Sequence, residues 1–202
     1  MLQNQLFPAT LMPDRDWWHA LWPDPDLVIR ELQIAPGMAV IDLGCGDGYF
    51  TAAIARRIGS ARVTGLDLDA AMLEQAKAFC IDLHNCNWLA GDAMQLSQLI
   101  TKAVDYVLIA NTFHGVPDKT GLAAEIAAVL LPAGRFAIVN WHPLPRETTT
   151  VLGQARGPRT ELRMSLVQTQ ALVEPAGFEL ATLVELPPYH YGAIFRKVAR
   201  QY

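Results

Sequence analysis

The sequence predicts an α/β fold, a doubly wound, mostly parallel sheet of seven strands closed by a C-terminal antiparallel hairpin. Three observations predict it. Apolar strand-like runs alternate with helical patterns from residue 38 to residue 142, as expected for parallel strands joined by crossover helices. Asp42, Asp67 and Asp92 recur at intervals of 25 residues, about one strand, loop and helix unit, with no repeat of the sequence around them. The tail carries two more strand-like runs, 178–186 and 190–198, parted by Pro187-Pro188.

Two short helices come first, at 14–22 and 25–33. Asp24-Pro25 supplies an N-cap followed by proline at the first helical position, and Pro36-Gly37 closes the second helix. The first strand, 38–43, runs into a glycine loop and a helix from Tyr49 to Ile58. The second strand is 62–66, and Asp69 caps a helix that continues to Leu83. The third strand, 87–90, precedes a short helix. The fourth, 106–110, leads to a helix over 118–131, whose end at Pro132-Ala133-Gly134 feeds the fifth strand, 135–141. Residues 143–164 form a polar, arginine-bearing connection of a length usually functional or mobile, a candidate lid. Ser165 and Gln168 make a capping box for a helix to Ala176, which Gly177 stops. One domain is expected over 1–202: an N-terminal helical cap at 1–35, a core at 36–142, and lid loop, helix and hairpin at 143–202.

Composition narrows the function. With 51% hydrophobic and 18% charged residues, the chain can bury enough apolar surface to offset its ordering entropy. A net charge of -4 offers no basic footprint for nucleic acid. No apolar run approaches the length of a membrane span, and residues 1–13 lack the charged and apolar regions of a secretory signal. A cytoplasmic protein without stable membrane insertion is expected. Cys45, Cys80 and Cys86 are too few and too widely spaced for a disulfide framework or a thiolate metal site, so no metal is expected.

The strongest local signal is Val40-Ile41-Asp42-Leu43-Gly44-Cys45-Gly46-Asp47-Gly48, a strand ending in an acid and a G-x-G-x-G turn. Glycines there let the backbone bend sharply and let a ligand approach its amides. The dinucleotide fingerprint requires a further glycine where Tyr49 stands, which weakens a pyrophosphate cradle.

Residues 38–142 resemble the class I S-adenosylmethionine-dependent methyltransferases. Asp42 to Gly48 is similar to that family's cofactor loop, and Thr64-Gly65-Leu66-Asp67-Leu68-Asp69 to its second-strand end. Gly91-Asp92-Ala93 resembles its adenine-contacting turn, and Asp105 to His114 the fourth-strand segment beside the methyl group. Leu131-Pro132-Ala133-Gly134-Arg135 resembles its "L-x-P-G-G" turn, with alanine at 133 in place of glycine. The resemblance implies a Rossmann-like fold, S-adenosylmethionine as cofactor, and methyl transfer by in-line displacement to a small-molecule acceptor. It implies cofactor contacts from Asp42, Gly44, Cys45, Gly46, Asp67, Leu68, Asp92, Ala93 and Asn111.

Residue chemistry is compatible with those roles. One carboxylate can accept from two vicinal hydroxyls, which suits Asp67, and from an exocyclic amine, which suits Asp92. Asp92 could instead cap the following helix, and Asp42 could merely satisfy loop amides. His114 and His142, at the ends of the fourth and fifth strands, are candidate proton acceptors or packed histidines. Trp17 and Trp18, with Trp22 on the face of Trp18, form either a buried helix face or an aromatic lid; Trp141 joins them as a candidate substrate contact. Arg156, Arg159 and Arg163 give residues 146–163 a local charge of +2 with Arg146, Glu147 and Glu161, suiting an anionic substrate or a solvated face. Two rivals stay open, a non-catalytic S-adenosylmethionine-binding protein and a nicotinamide-dependent oxidoreductase.

Overall fold

The structure, a computed structural model, describes residues 15–198; the expectations for residues 1–14 lie outside them. Two short helices open it, α1 (Arg15–Leu21) and α2 (Pro25–Glu31), with Asp24 capping the second as expected. The alternating region then gives β1 (Val40–Leu43), α3 (Tyr49–Ile58), β2 (Val63–Asp67), α4 (Ala70–Phe79), β3 (Cys86–Ala90), α5 (Leu96–Leu99), β4 (Val104–Ala110), α6 (Lys119–Val129) and β5 (Leu130–Trp141). A small hairpin of β6 (Thr150–Val151) and β7 (Gln154–Ala155) follows, then α7 (Leu166–Val173), β8 (Phe178–Leu186) and β9 (His190–Lys197).

Seven strands form one sheet in the order β3-β2-β1-β4-β5-β9-β8. The first five are mutually parallel, and β9 lies antiparallel between β5 and β8. The order reverses between β1 and β4, and open α/β sheets bind ligands at the carboxyl edge beside such a point. Alternation along the strands divides the core. Val40, Tyr106, Leu108, Val139 and Trp141 pack with the tryptophans of α1 and the apolar faces of α2 and α3. Ile41, Leu43, Val107, Ile109 and Ile138 pack on the other face with residues of α5, α6 and α7.

Two boundaries differ from expectation for local reasons. The helix after β2 ends at Phe79 rather than Leu83, because Cys80 caps it and the chain turns there. Strand β5 starts at Leu130 rather than Arg135. Leu130 already pairs with Val104, and the turn through Ala133, at φ 59°, is a bulge inside the strand. The 143–164 connection is also more structured than a polar loop. Its hairpin turns through Leu152 and Gly153, both at positive φ as a two-residue turn requires. Val151 is buried in the tryptophan cluster, and Thr149 has no exposed surface.

Candidate active site

The glycine loop leaves β1 with Gly44, Gly46 and Gly48 at φ of 71°, 53° and 84°, a conformation that side chains disfavour. A side chain at Gly44 would also come within 3.2 Å of Thr112 Oγ1 in the loop after β4, so the two loops touch across the reversal of strand order. Asp67 closes this corner from the end of β2. Its Oδ2 accepts from Gly46 N at 2.8 Å and its Oδ1 from Asp69 N at 2.9 Å. A carboxylate has about four acceptor positions, so Asp67 is oriented by backbone and still able to accept twice more. Asp69 caps α4 through Ala71 N, as expected, which leaves Asp67 as the inward acid. Beside it Leu68 holds 45% of its surface open to solvent, an apolar platform next to a carboxylate with acceptor positions to spare.

Asp42 is buried and accepts a 2.5 Å hydrogen bond from Thr51 Oγ1. Burial pushes its carboxyl up to about 7, the Thr51 bond opposes this, and the fields of Asp67 and Asp47 raise it further. Asp47 is bridged by Arg15, which donates Nε to its Oδ2 at 2.8 Å and Nη2 to its carbonyl at 3.1 Å. Helix α1 is thereby tied to the glycine loop, and neither Thr51 nor Arg15 carried a readable signal in the sequence. Asp92 caps the 3₁₀ turn Ala93–Gln95 through Met94 N at 2.9 Å, so the capping role foreseen for it is filled by Oδ1. Cys45 is buried, and burial beside three carboxylates drives its thiol far above the usual range, leaving it small and inert.

Asn111 follows β4 at φ 58°, and both its amide oxygen and nitrogen are buried without a partner among the described residues. A buried amide missing all its hydrogen bonds is costly, and one in a strained conformation at a ligand edge points to a ligand. Three residues on, His114 is buried with Nδ1 unpartnered. Burial, then Lys119 and Arg163, push it down to about 4. It is neutral at working pH and, as it stands, a weak proton acceptor. His142 is elsewhere engaged: half-exposed, it meets Glu185 Oε2 at 2.9 Å and packs on Tyr191.

Trp17, Trp18, Trp22 and Trp141 are all buried, as a helix face packed on the sheet requires. Trp17 stacks on Trp141 at 6.1 Å and Trp18 on Trp22 at 5.7 Å. The indole nitrogens of Trp17 and Trp18 have no partner among the described residues. His190, which sequence reasoning missed, lies between Trp22 and Trp141 at 4.6 and 4.1 Å with both ring nitrogens buried and unpartnered among the described residues. Its placement depends on the β5–β9 register, which pairs it with Trp141.

The three arginines have different surroundings. Arg159 points to solvent with 81% of its side chain exposed and only Glu161, at 3.9 Å, for company. Arg156 sits over the Trp17 ring. Arg163 is buried over Trp141, donating to Pro158 O, Thr149 Oγ1 and Arg156 O, so most of its donors staple the 143–164 segment.

Residues 40–134 match the family model described as a methyltransferase domain. The chain carries a methyltransferase domain over that span, just under half of its length. It is 33% identical over 117 residues to a demethylmenaquinone methyltransferase of Staphylococcus aureus, covering 57% of this chain and 47% of that protein. A protein of the same name from Staphylococcus saprophyticus is 32% identical over 114 residues, covering 56% and 48%. The chain thus spans about half the length of these relatives. Among solved structures it is similar to a SAM-dependent methyltransferase from Aquifex aeolicus, with TM-score 0.77 and 24% identity over 92% of this chain and 94% of that one. The [4+2]-cyclase SpnF also shares the fold, with TM-score 0.67 and 18% identity over 87% and 81% of the two chains. The methyltransferase fold therefore houses more than one reaction name, and the site must carry the functional argument.

Proposed function

We propose that the chain binds S-adenosylmethionine at the β1–β2–β4 corner and transfers its methyl group to a small-molecule acceptor bound beyond β4. The observation that carries this reading is the buried amide of Asn111, without a partner among the described residues and next in the chain to Thr112, which meets a glycine loop whose conformation keeps side chains out. The residues present fit the cofactor. Asp67 has two acceptor positions left for a pair of ribose hydroxyls, Leu68 offers apolar surface to the base, and Asp92 has a second oxygen for an exocyclic amine, with Ala93 following it in the turn. Gly44, Cys45 and Gly46 supply the close backbone, and Asp42, buried among carboxylates, favours a cationic group nearby. When bound, the cofactor supplies a methyl group activated on a sulfonium centre.

The chain's own contribution is then to position and to exclude water. The amides of Gly46 and Asp69 fix Asp67, Arg15 fixes the glycine loop, and the packed α1 tryptophans keep water from that side of the sheet. The demethylmenaquinone named for the relatives supports a small acceptor. The missing glycine at Tyr49 weighs against the nicotinamide reading.

The test is calorimetry with S-adenosylhomocysteine, paired with a labelled-methyl assay. Asp67→Ala should weaken binding by about ten- to a hundredfold, the worth of a lost charge-assisted pair of hydrogen bonds. Asp69→Ala should lose stability rather than affinity. Equal affinities for the parent and Asp67→Ala would overturn the assignment.

A further inference from the structure

Cys80 and Cys86 are both free thiols, and they lie outside the site described above. Cys80 caps the C-terminal end of α4, its amide donating to Ala76 O at 2.9 Å, and only 3% of its surface is exposed. The chain then reverses at once. Leu83 N donates to Cys80 O at 2.8 Å, and Asn85 Nδ2 pins the turn to the end of α3 through Ala55 O and Gly59 O at 2.8 and 2.9 Å. Cys86 follows as the first residue of β3, in register with Val63 of β2. The reversal brings its side chain back against Cys80, and a hydrogen bond joins the two thiols. Their exposures differ: β3 is an edge of the sheet and Cys86 is half-buried, whereas Cys80 is covered. The hydrogen bond also divides their acidities. Cys80 donates, which raises its thiol, and burial raises it further; the sulfur of Cys86 accepts, which lowers its thiol below the usual range against burial and the field of Asp42. A partly exposed sulfur with thiolate character, touching a second and covered thiol, is the arrangement of an attacking and a resolving cysteine.

We propose that Cys80 and Cys86 form an oxidation site that a peroxide converts to an intramolecular disulfide, with Cys86 attacking and Cys80 resolving. The Cys86 thiolate attacks one peroxide oxygen, the O–O bond breaks, the leaving hydroxide takes a proton from solvent to become water, and Cys86 becomes a sulfenic acid. The sulfur of Cys80 then attacks the sulfur of Cys86; the S–O bond breaks, and the hydroxyl leaves as water with the proton of Cys80. Two thiols lose two electrons and two hydrogens, and the peroxide is reduced to two waters. Little has to move, because two sulfurs already in hydrogen-bond contact close to about 2.05 Å in the bond. The new bond ties α4 to the edge strand. Helix α4 also supports the glycine loop: a side chain at Gly48 would meet Ala76, and the ring of Phe79, next to Cys80, lies 3.7 Å from the Arg15 guanidinium that holds Asp47. Oxidation therefore acts on the helix against which that loop packs, and a dithiol reverses it. None of this depends on methyl transfer.

The experiment exposes the reduced full chain to hydrogen peroxide at neutral pH, alkylates the remaining thiols with a maleimide after denaturation, and reads the intact mass and the map of peptides cut before Asp82. The parent should lose two of its three thiols and about 2 Da, with the pieces on either side of the cut held together until a dithiol is added. Cys45 should keep its thiol. Cys86→Ser should slow the consumption of peroxide at least about tenfold, because the two thiols it leaves carry little thiolate. Cys80→Ser should stop at a sulfenic acid on Cys86, captured by dimedone. A parent that proceeds to sulfinic acid on Cys86 with Cys80 still open to alkylation, a disulfide found only between two chains, or a Cys86→Ser variant that consumes peroxide as fast as the parent would overturn the pair. The parent's own map decides even where a serine variant fails to fold.

Discussion

At the carboxyl ends of β1, β2 and β3 the polar side chains are carboxylates, and each finds a partner close by: Asp42 with Thr51, Asp67 with the amides of Gly46 and Asp69, Asp92 with the amide of Met94. At the same edge beside β4, β5 and β9 imidazoles and cations gather, and several polar atoms have no partner among the described residues: His114 Nδ1, both nitrogens of His190, Nη1 of Arg163. One half of the ligand edge is acidic and internally satisfied, the other basic and waiting. A net charge of -4 averages over this division and conceals it. The satisfied half is built to receive one fixed ligand without rearranging. The unsatisfied half stores unfavourable desolvation that only a partner can relieve.

The largest effect should come from breaking the acidic half. Gly46→Val places a β-branched residue at φ 53°, beside the amide that holds Asp67. S-adenosylhomocysteine affinity should fall by more than about a hundredfold while circular dichroism reports an intact fold. Unchanged calorimetric affinity would remove the glycine loop from the site.

The two halves should also titrate in opposite directions. Asp42 ionises near 3.8 when unfolded and about 7 when folded, so its contribution to stability is full below pH 4 and is lost as pH rises through 7. His114 goes from 6.5 unfolded to about 4 folded, so its contribution is present above pH 6.5 and is lost as pH falls through 4. Both contributions change between about pH 4 and 7 and oppose each other, so relative to the parent the melting temperature should climb with pH across that window in Asp42→Asn and fall with pH in His114→Gln. If both variants follow the parent's curve, these groups do not titrate as their surroundings dictate.

A smaller effect tests what joins the halves. Trp17 touches Trp141 on one side and belongs to a helix tied to the glycine loop on the other. Cofactor addition should change tryptophan emission, and Trp17→Phe with Trp18→Phe should remove most of the change. An identical response in the double variant would place the reporting indoles elsewhere. The smallest effect belongs to Arg159: exposed to solvent, it should leave S-adenosylhomocysteine affinity within about twofold when replaced by glutamine. A tenfold change would return it to the site.

The acidic half was legible in the sequence because its geometry is local. Asp42, Gly44 and Gly46 sit within five residues, and Asp69 caps the helix that leaves Asp67 free. The parallel strands were legible for the same reason, each being followed by its own turn and helix. The basic half was not. His190 reaches the edge through a register set across 49 residues from Trp141, and Arg163 reaches Trp141 from the loop before α7. Arginine spacing suits an anionic substrate or a solvated face alike, and burial puts Arg163 inward and Arg159 outward, a division that chain proximity cannot express.

The placement of β9 bears on how the molecule is made. During synthesis β5 is complete long before β9 exists, and until then its outer edge, rich in the apolar residues Phe136 to Val139, has no neighbour to bond. An exposed apolar strand edge is a template for pairing with another chain. The nascent polypeptide is therefore most prone to self-association in the interval between translation of Trp141 and of Lys197. Slowing the ribosome there should cost more folded product than slowing it anywhere in the first hundred codons.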